Sequence, residues 1–250
     1  MRLIIIWTCL IAPPLAVVAG WLLGWPWAVA LLLPAGLLWL GATLVPRCAW
    51  WGPQMSSFQS RHREVLLTFD DGPCPNDTPK VLDMLDEAGA KAVFFINGRK
   101  ARMHPLLVRE IAQRGHALGC HTMTDPVRWW WAYTPARQRS EITLCLAALD
   151  HAVPGCVVTW CRTPAGMRNH WLHGILAEHP LQLMAWSASD GEWRPRDEES
   201  TLIALKRDID KGSIVQLHQG RVAADGSSRL IPVLEELLFW LKAQSYEIGA

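Results

Sequence analysis

The stretch VLLTFDDG (Val65–Gly72) runs from apolar residues into two adjacent carboxylates and a glycine. VLLTF has the length and composition of a buried strand, and DDG ends it. Thr78 and Pro79 then start a helix, Thr78 as N-cap and Pro79 at the first helical position, with Val81, Leu82 and Leu85 on one face. AVFFI (Ala92–Ile96) reads as the next strand and Pro105–Arg114 as the next helix. The alternation continues with strands at Cys156–Trp160, Gln182–Trp186 and Ser213–Leu217. Helices are expected at Pro135–Leu149, Asn169–Glu178, Glu198–Lys211 and Arg229–Lys242. Strands alternating with helices of this length imply parallel βαβ units, an α/β fold. Closure into a barrel would gather the strand ends, and their polar residues, at one face.

Those polar residues carry the chemistry. Asp70 and Asp71 follow the first strand, and His121 and Asp125 precede the helix at Pro135–Leu149. CRTPAG (Cys161–Gly166), SASDGEW (Ser187–Trp193) and His218 follow later strands. Singly, a DDG is a turn, a lone histidine a satisfied polar group, and Arg162 the partner of a surface carboxylate. Carboxylates, imidazoles and a guanidinium placed repeatedly at strand exits are harder to explain that way. His121 and Asp125, four residues apart, would share one face of a helical turn.

The amino-terminal block is of another kind. No charged residue occurs from Leu3 to Pro46, and two apolar runs, Leu3–Leu23 and Trp27–Val45, flank the breaker GWPW (Gly24–Trp27). Each run is about the 20 residues a bilayer needs, so the expectation is a two-helix transmembrane hairpin with both ends on one side. A cleaved signal peptide at AVVAG (Ala16–Gly20) is the competing reading, but its product would begin with another span. The division is 1–46 hairpin, 47–63 linker and 64–250 catalytic domain. Arg2, Arg47, Arg61 and Arg63 flank the spans on the same side, which puts the catalytic domain in the cytoplasm, anchored to the inner membrane by a multi-pass segment.

Net charge is +1, which argues against nucleic acid as a partner. Seven cysteines without a CxxC pair exclude a zinc ribbon and suit a reducing compartment, although Cys156 and Cys161 could pair in a secreted domain. There is no internal repeat and no low-complexity linker.

TFDDG (Thr68–Gly72), His121-Thr122 with Asp125, RTPAG (Arg162–Gly166), the Trp186–Trp193 segment and Leu217-His218 occur in order from Glu64 to the carboxy terminus. This series resembles the successive motifs of NodB-type polysaccharide deacetylases, carbohydrate esterase family 4, and within it the membrane-anchored bacterial members. The resemblance implies a distorted (β/α) barrel and metal-assisted removal of an N-acyl, typically N-acetyl, group from a sugar. It makes Asp71 and His121 metal ligands, Asp70 the general base, His218 the general acid, and Arg162 the residue that holds the base. The divalent metal it implies is zinc, other transition metals being alternatives.

The chain departs from the family pattern twice. Asp125 stands where the metal motif has a second histidine. Aspartate is an acceptable zinc ligand that shifts preference toward harder ions. Where the family has an aspartate to support the catalytic histidine, this chain has Ser189, with Asp190 next and Glu192 nearby; Asp190 is expected to take that role. Trp130, within Trp129–Trp131, is expected to stack on a sugar and Arg168 to contact a phosphate, against ordinary packing. The partner is then an N-acylated saccharide, lipid-linked or part of a cell-envelope glycan. A catalytically impaired carbohydrate-binding member, or a deformylase or amidase on the same fold, are the alternatives.

Overall fold

The computed structural model describes residues 2–46, 48–191 and 197–249, with side chains from residue 11 onward. Two apolar helices open the chain, α1 (Arg2–Leu23) and α2 (Trp25–Leu44), and they pack against each other. Pro26 sits in the first turn of α2, where its missing N–H costs nothing. Among the described residues, α2 is long and apolar enough to cross a membrane, and most of its side chains are exposed, Leu31, Leu33 and Leu37 among them.

The rest follows the expected alternation: β1 (Glu64–Gly72), α3 (Thr78–Glu87), β2 (Ala92–Ile96), α4 (Gly98–Met103), α5 (Pro105–Gln113), β3 (Ala117–Cys120) and α6 (Pro135–Ala152). Then come β4 (Trp160–Cys161), α7 (Leu172–Leu176), β5 (Gln182–Leu183), β6 (Ala188–Ser189), α8 (Glu198–Asp208), β7 (Ser213–His218), α9 (Leu230–Ala243) and β8 (Glu247–Ile248). The strands form one 8-stranded sheet in the order β5-β4-β3-β2-β1-β7-β6, with β8 on β1, and every pairing is parallel.

The sheet curls without closing through its own strands, since β5 and β6 are not paired. Residues 55–58 bridge part of the opening instead. Met55 N donates to Leu183 O at 2.9 Å, Ala185 N to Met55 O at 2.7 Å, and Phe58 N to Gly212 O at 2.9 Å. The middle of the expected linker is therefore bridged to the sheet.

Alternation along β1 divides its side chains between two cores. Val65, Leu67 and Phe69 join the large cluster under the helices, whereas Leu66 joins Val93, Phe95, Trp186 and Ile214 on the sheet's inner face. Thr68 and Asp70 continue the inner row.

Several boundaries differ from expectation. The strand expected at Cys156–Trp160 lies at Trp160–Cys161, and the one at Gln182–Trp186 shortens to Gln182–Leu183, because Met184 and Ala185 turn to engage Met55. The helix expected at Asn169–Glu178 contracts to Leu172–Leu176. Asp77, not Thr78, is the N-cap of α3; the Thr78 hydroxyl accepts from Cys74 N and donates to Gln219 Oε1.

Candidate metal and catalytic site

Two successive aspartates on a regular strand would point to opposite faces. Here the alternation breaks: the β1–β2 register shifts between Phe69 and Gly72, and Asp71 has a left-handed backbone with φ 63°. Aspartate tolerates that region better than most residues. The irregularity turns Asp71 back to the side on which Asp70 lies, so both carboxylates serve one site.

Asp70 is fully buried at the end of the inner row, opposite His218 in the β1–β7 register. Its Oδ1 accepts from Arg162 Nη1 and its Oδ2 from Gln216 Nε2, both at 2.7 Å. Arg162, also fully buried, spends its other donors on Thr68 Oγ1, Met184 O and Ala185 O, and its guanidinium lies 4.1 Å from the centre of the Phe95 ring. A planar fork held at that many points fixes the carboxylate it grips.

His121 follows β3. Its Nδ1 lies 2.8 Å from the Arg162 carbonyl, which can only accept, so Nδ1 carries the proton and Nε2 faces the carboxylates. Asp71 Oδ1 is 3.4 Å from Nε2 and Asp125 Oδ1 is 3.7 Å away. One ligand atom from each of Asp71, His121 and Asp125 can be chosen so that all lie within 4.8 Å of one another. The expected helical turn is absent. Residues 121–125 form a loop in which Thr122 (φ 56°) and Asp125 (φ 49°) are left-handed. Glu141 of α6 steadies that loop by accepting from Thr124 N and Thr124 Oγ1, each at 2.8 Å.

Electrostatics suit a cation. Burial would push Asp71 up, but the hydrogen bond with His121 and the charges of His121, His218 and Lys100 hold it well below the usual carboxylate range. Burial would likewise push His121 down, yet its bond to Asp71 and the charges of Asp70, Asp125 and Asp71 raise it to about 10. The surrounding carboxylates thus favour positive charge at Nε2, where these three residues would grip an ion. Two carboxylates and one imidazole nitrogen form a donor set that fits a divalent metal.

His218, at the end of β7, is the register partner of Asp70. Asp190 Oδ1 is 2.6 Å from His218 Nδ1, and Asp190 Oδ2 accepts from His218 N at 3.0 Å. Asp190 thus grips the histidine where the family's usual aspartate is replaced by Ser189. Ser189 Oγ donates instead to Gln216 Oε1 at 2.8 Å, orienting the amide that holds Asp70.

Two expected contacts require correction. Trp130 has no exposed surface; it packs in the main core beneath the loop, and its carbonyl accepts from Gln138. It has no face to offer a sugar. Arg168 is buried as well, its guanidinium bonded to Val45 O, Pro46 O and Gln54 Oε1, so it does not reach toward a phosphate. Glu192, Trp193 and Arg47 lie outside the described residues. Gln216 and Lys100, whose Nζ donates to Asp71 O at 2.6 Å, escape the sequence reading because a polar residue inside a strand or helix carries no motif of its own.

Comparison with known proteins places this geometry. The polysaccharide deacetylase family model matches residues 59–184. A chitooligosaccharide deacetylase from Bradyrhizobium sp. (strain ANU 289) is 32% identical over 194 residues, covering 74% of this chain and 88% of the relative. A peptidoglycan-N-acetylglucosamine deacetylase from Bacillus cereus is 30% identical over 73% of this chain and 83% of its own. Among solved structures, a family 4 carbohydrate esterase from Streptomyces lividans in complex with acetate superimposes with a TM-score of 0.66 at 25% identity, covering 76% of this chain and 94% of that one. The chain belongs to the polysaccharide deacetylase family.

Proposed function

We propose that this chain is a membrane-anchored hydrolase that removes the N-acetyl group from a saccharide, with zinc as its metal and a lipid-linked saccharide as its substrate. The observation that carries the reading is the convergence of Asp71, His121 and Asp125 within 4.8 Å, beside a buried Asp70 gripped by Arg162. The relatives named above are deacetylases of chitooligosaccharide and peptidoglycan N-acetylglucosamine.

Asp71, His121 through Nε2, and Asp125 would hold the ion. When bound, it polarises the amide carbonyl and makes water more acidic. Asp70 accepts the proton of the attacking water; each of its oxygens is used once and keeps a lone pair. His218, its Nδ1 taken by Asp190, donates from Nε2 to the departing amine nitrogen as the C–N bond breaks and acetate leaves. Asp190 fixes that tautomer, and Arg162 keeps Asp70 aimed.

The apolar, exposed α2 supports anchoring, and with α1 it makes a hairpin spanning twice across residues 1–46, joined through 47–63 to a catalytic domain at 64–250. The arginines flanking the spans, together with free thiols at the six cysteines whose side chains are described, support a cytoplasmic catalytic domain on the inner membrane.

The test is acetate release by the purified full chain from N-acetylated amino-sugar substrates, before and after chelation and after zinc is restored. Release that stops with chelator and returns with zinc is expected. Chelator-resistant release would overturn the metal assignment, and stoichiometric zinc without release would make the chain a binding protein.

A further inference from the structure

The carboxyl end of α2 does not dangle from the catalytic domain. Arg168 N donates to Thr43 O at 3.0 Å, and Arg168 Nη2 donates to Val45 O and Pro46 O at 2.9 and 2.6 Å. A fully buried guanidinium therefore meets the carbonyls at and just past the end of a helix, where the helix dipole is negative. A Cβ added at Gly166 would come within 2.7 Å of Pro46 Cβ, so chain and helix end are in close approach. Further back in α2, the Trp39 ring packs edge-on against Trp131 at 6.4 Å and against Trp51 at 6.2 Å.

These contacts fall on the two loops that build the site. Gly166 and Arg168 continue the segment that carries Arg162 out of β4, and Trp131 continues the segment that carries His121 and Asp125 out of β3. Both leave the carboxyl ends of their strands. The exposed apolar length of α2 before Trp39 therefore departs from the same end of the sheet onto which the site opens. On that rim, Trp129 is 62% exposed beside an exposed Arg128, whose carbonyl accepts from Trp131 Nε1 at 3.2 Å. Tryptophan and arginine with apolar bodies and polar tips suit the headgroup layer.

We infer that α2 is a rigid mount that turns the mouth of the site toward the bilayer. The rim at Arg128 and Trp129 sits in the headgroups, and the amide is taken from a saccharide whose lipid carrier stays in the membrane. The inference rests on the membrane reading of α2 and deepens the proposed function by fixing how substrate arrives.

The experiment uses the full chain in lipid nanodiscs, carrying Cys9→Ser, Cys48→Ser, Cys74→Ser and Cys156→Ser. A fluorophore is placed on Trp129→Cys or, at the opposite end of the sheet, on Glu87→Cys, and doxyl-labelled lipid is added. Quenching at position 129 and none at 87 is expected; equal quenching at both, or quenching at 87 alone, overturns the orientation. In parallel, Arg128→Ser/Trp129→Ser is expected to lower kcat/KM for an N-acetylated amino sugar joined by diphosphate to a polyprenol by roughly tenfold, the loss of one favourable interfacial contact. Turnover of a water-soluble N-acetylglucosamine oligosaccharide is expected to be unchanged. An equal effect on both substrates overturns delivery from the membrane. Should the parent chain deacetylate neither, the deacetylase reading fails, while the quenching still decides the orientation.

Discussion

Asp70→Asn separates the base from the metal ligands. The substitution preserves shape and leaves an oxygen to accept from Arg162 Nη1, now 2.7 Å away. The amide nitrogen would meet Gln216 Nε2, a donor facing a donor, but a flip of Gln216 relieves the clash because the Ser189 hydroxyl can accept as well as donate. What disappears is the negative charge and the basic lone pair. A positioned general base contributes about 10²–10⁴-fold, so kcat should fall by that factor, equivalent to about 2.7–5.5 kcal/mol in the barrier. Bound metal should not change, since Asp70 is not among the three residues that would grip the ion. A second effect must be kept apart: Arg162 is left buried without its counter-charge, and breaking such a pair costs about 3–5 kcal/mol of stability. Thr68, Met184, Ala185 and the Phe95 ring still hold it. Rates should therefore be read well below the variant's own melting temperature. The assay is acetate release by full-length protein in detergent, with metal content determined on the same sample. An Asp70→Asn enzyme with undiminished kcat, or one stripped of metal, would refute the assignment of Asp70 as base.

Asp125→Leu should weaken metal binding by at least the roughly 10–100-fold that losing a supporting partner of a ligand costs, whereas Asp125→His should keep or raise affinity; equal affinity for Asp125→Leu and parent in competition titrations would reduce Asp125 to a turn residue. Because His121 is raised from 6.5 to about 10 without metal, its protonated form stabilises the metal-free protein fully below pH 6.5, and that contribution is lost as pH rises through about 10. Metal takes the place of that proton, so binding at pH 8 should release about one proton, measurable by calorimetry in buffers of different ionisation enthalpy; binding without release would remove His121 from the ligand set. Asp190→Asn should cut kcat by about 10²–10⁴-fold, as expected for disabling the general acid, with little change in metal content, and a kcat within threefold (roughly 0.7 kcal/mol) of the parent would show that Asp190 does not set the tautomer of His218.

Much of this arrangement was legible because strand alternation and motif order are local properties. VLLTF and AVFFI are apolar runs bounded by turn residues, and they emerged as β1 and β2 within the sheet. The carboxylates and imidazoles at strand exits could be placed because parallel strands all leave at one end. What escaped was non-local. Gln216 faces inward in the middle of an apolar strand, and its partner Asp70 lies 146 residues away. Trp130 and Arg168 looked like exposed recognition groups because a buried tryptophan and a buried arginine read as surface ones in sequence. The helical turn imagined for His121–Asp125 failed because spacing alone does not reveal the left-handed Thr122 and Asp125.

The pairing of β1 with strands from the far end of the chain has a consequence for biosynthesis. Once β1 has left the ribosome, β2 can join it early and β3 can join β2, but β7, which flanks β1 on the side away from β2, and β8, which also pairs with β1, are made last. Asp70 and His218 become neighbours only then, and residues 55–58 must wait for Leu183 and Gly212 before they can bridge the sheet. Such high contact order makes folding slow and leaves unpaired strand edges exposed during translation. Asp71, His121 and Asp125, the residues that would grip metal, are thus all made before His218, the histidine that completes the reaction.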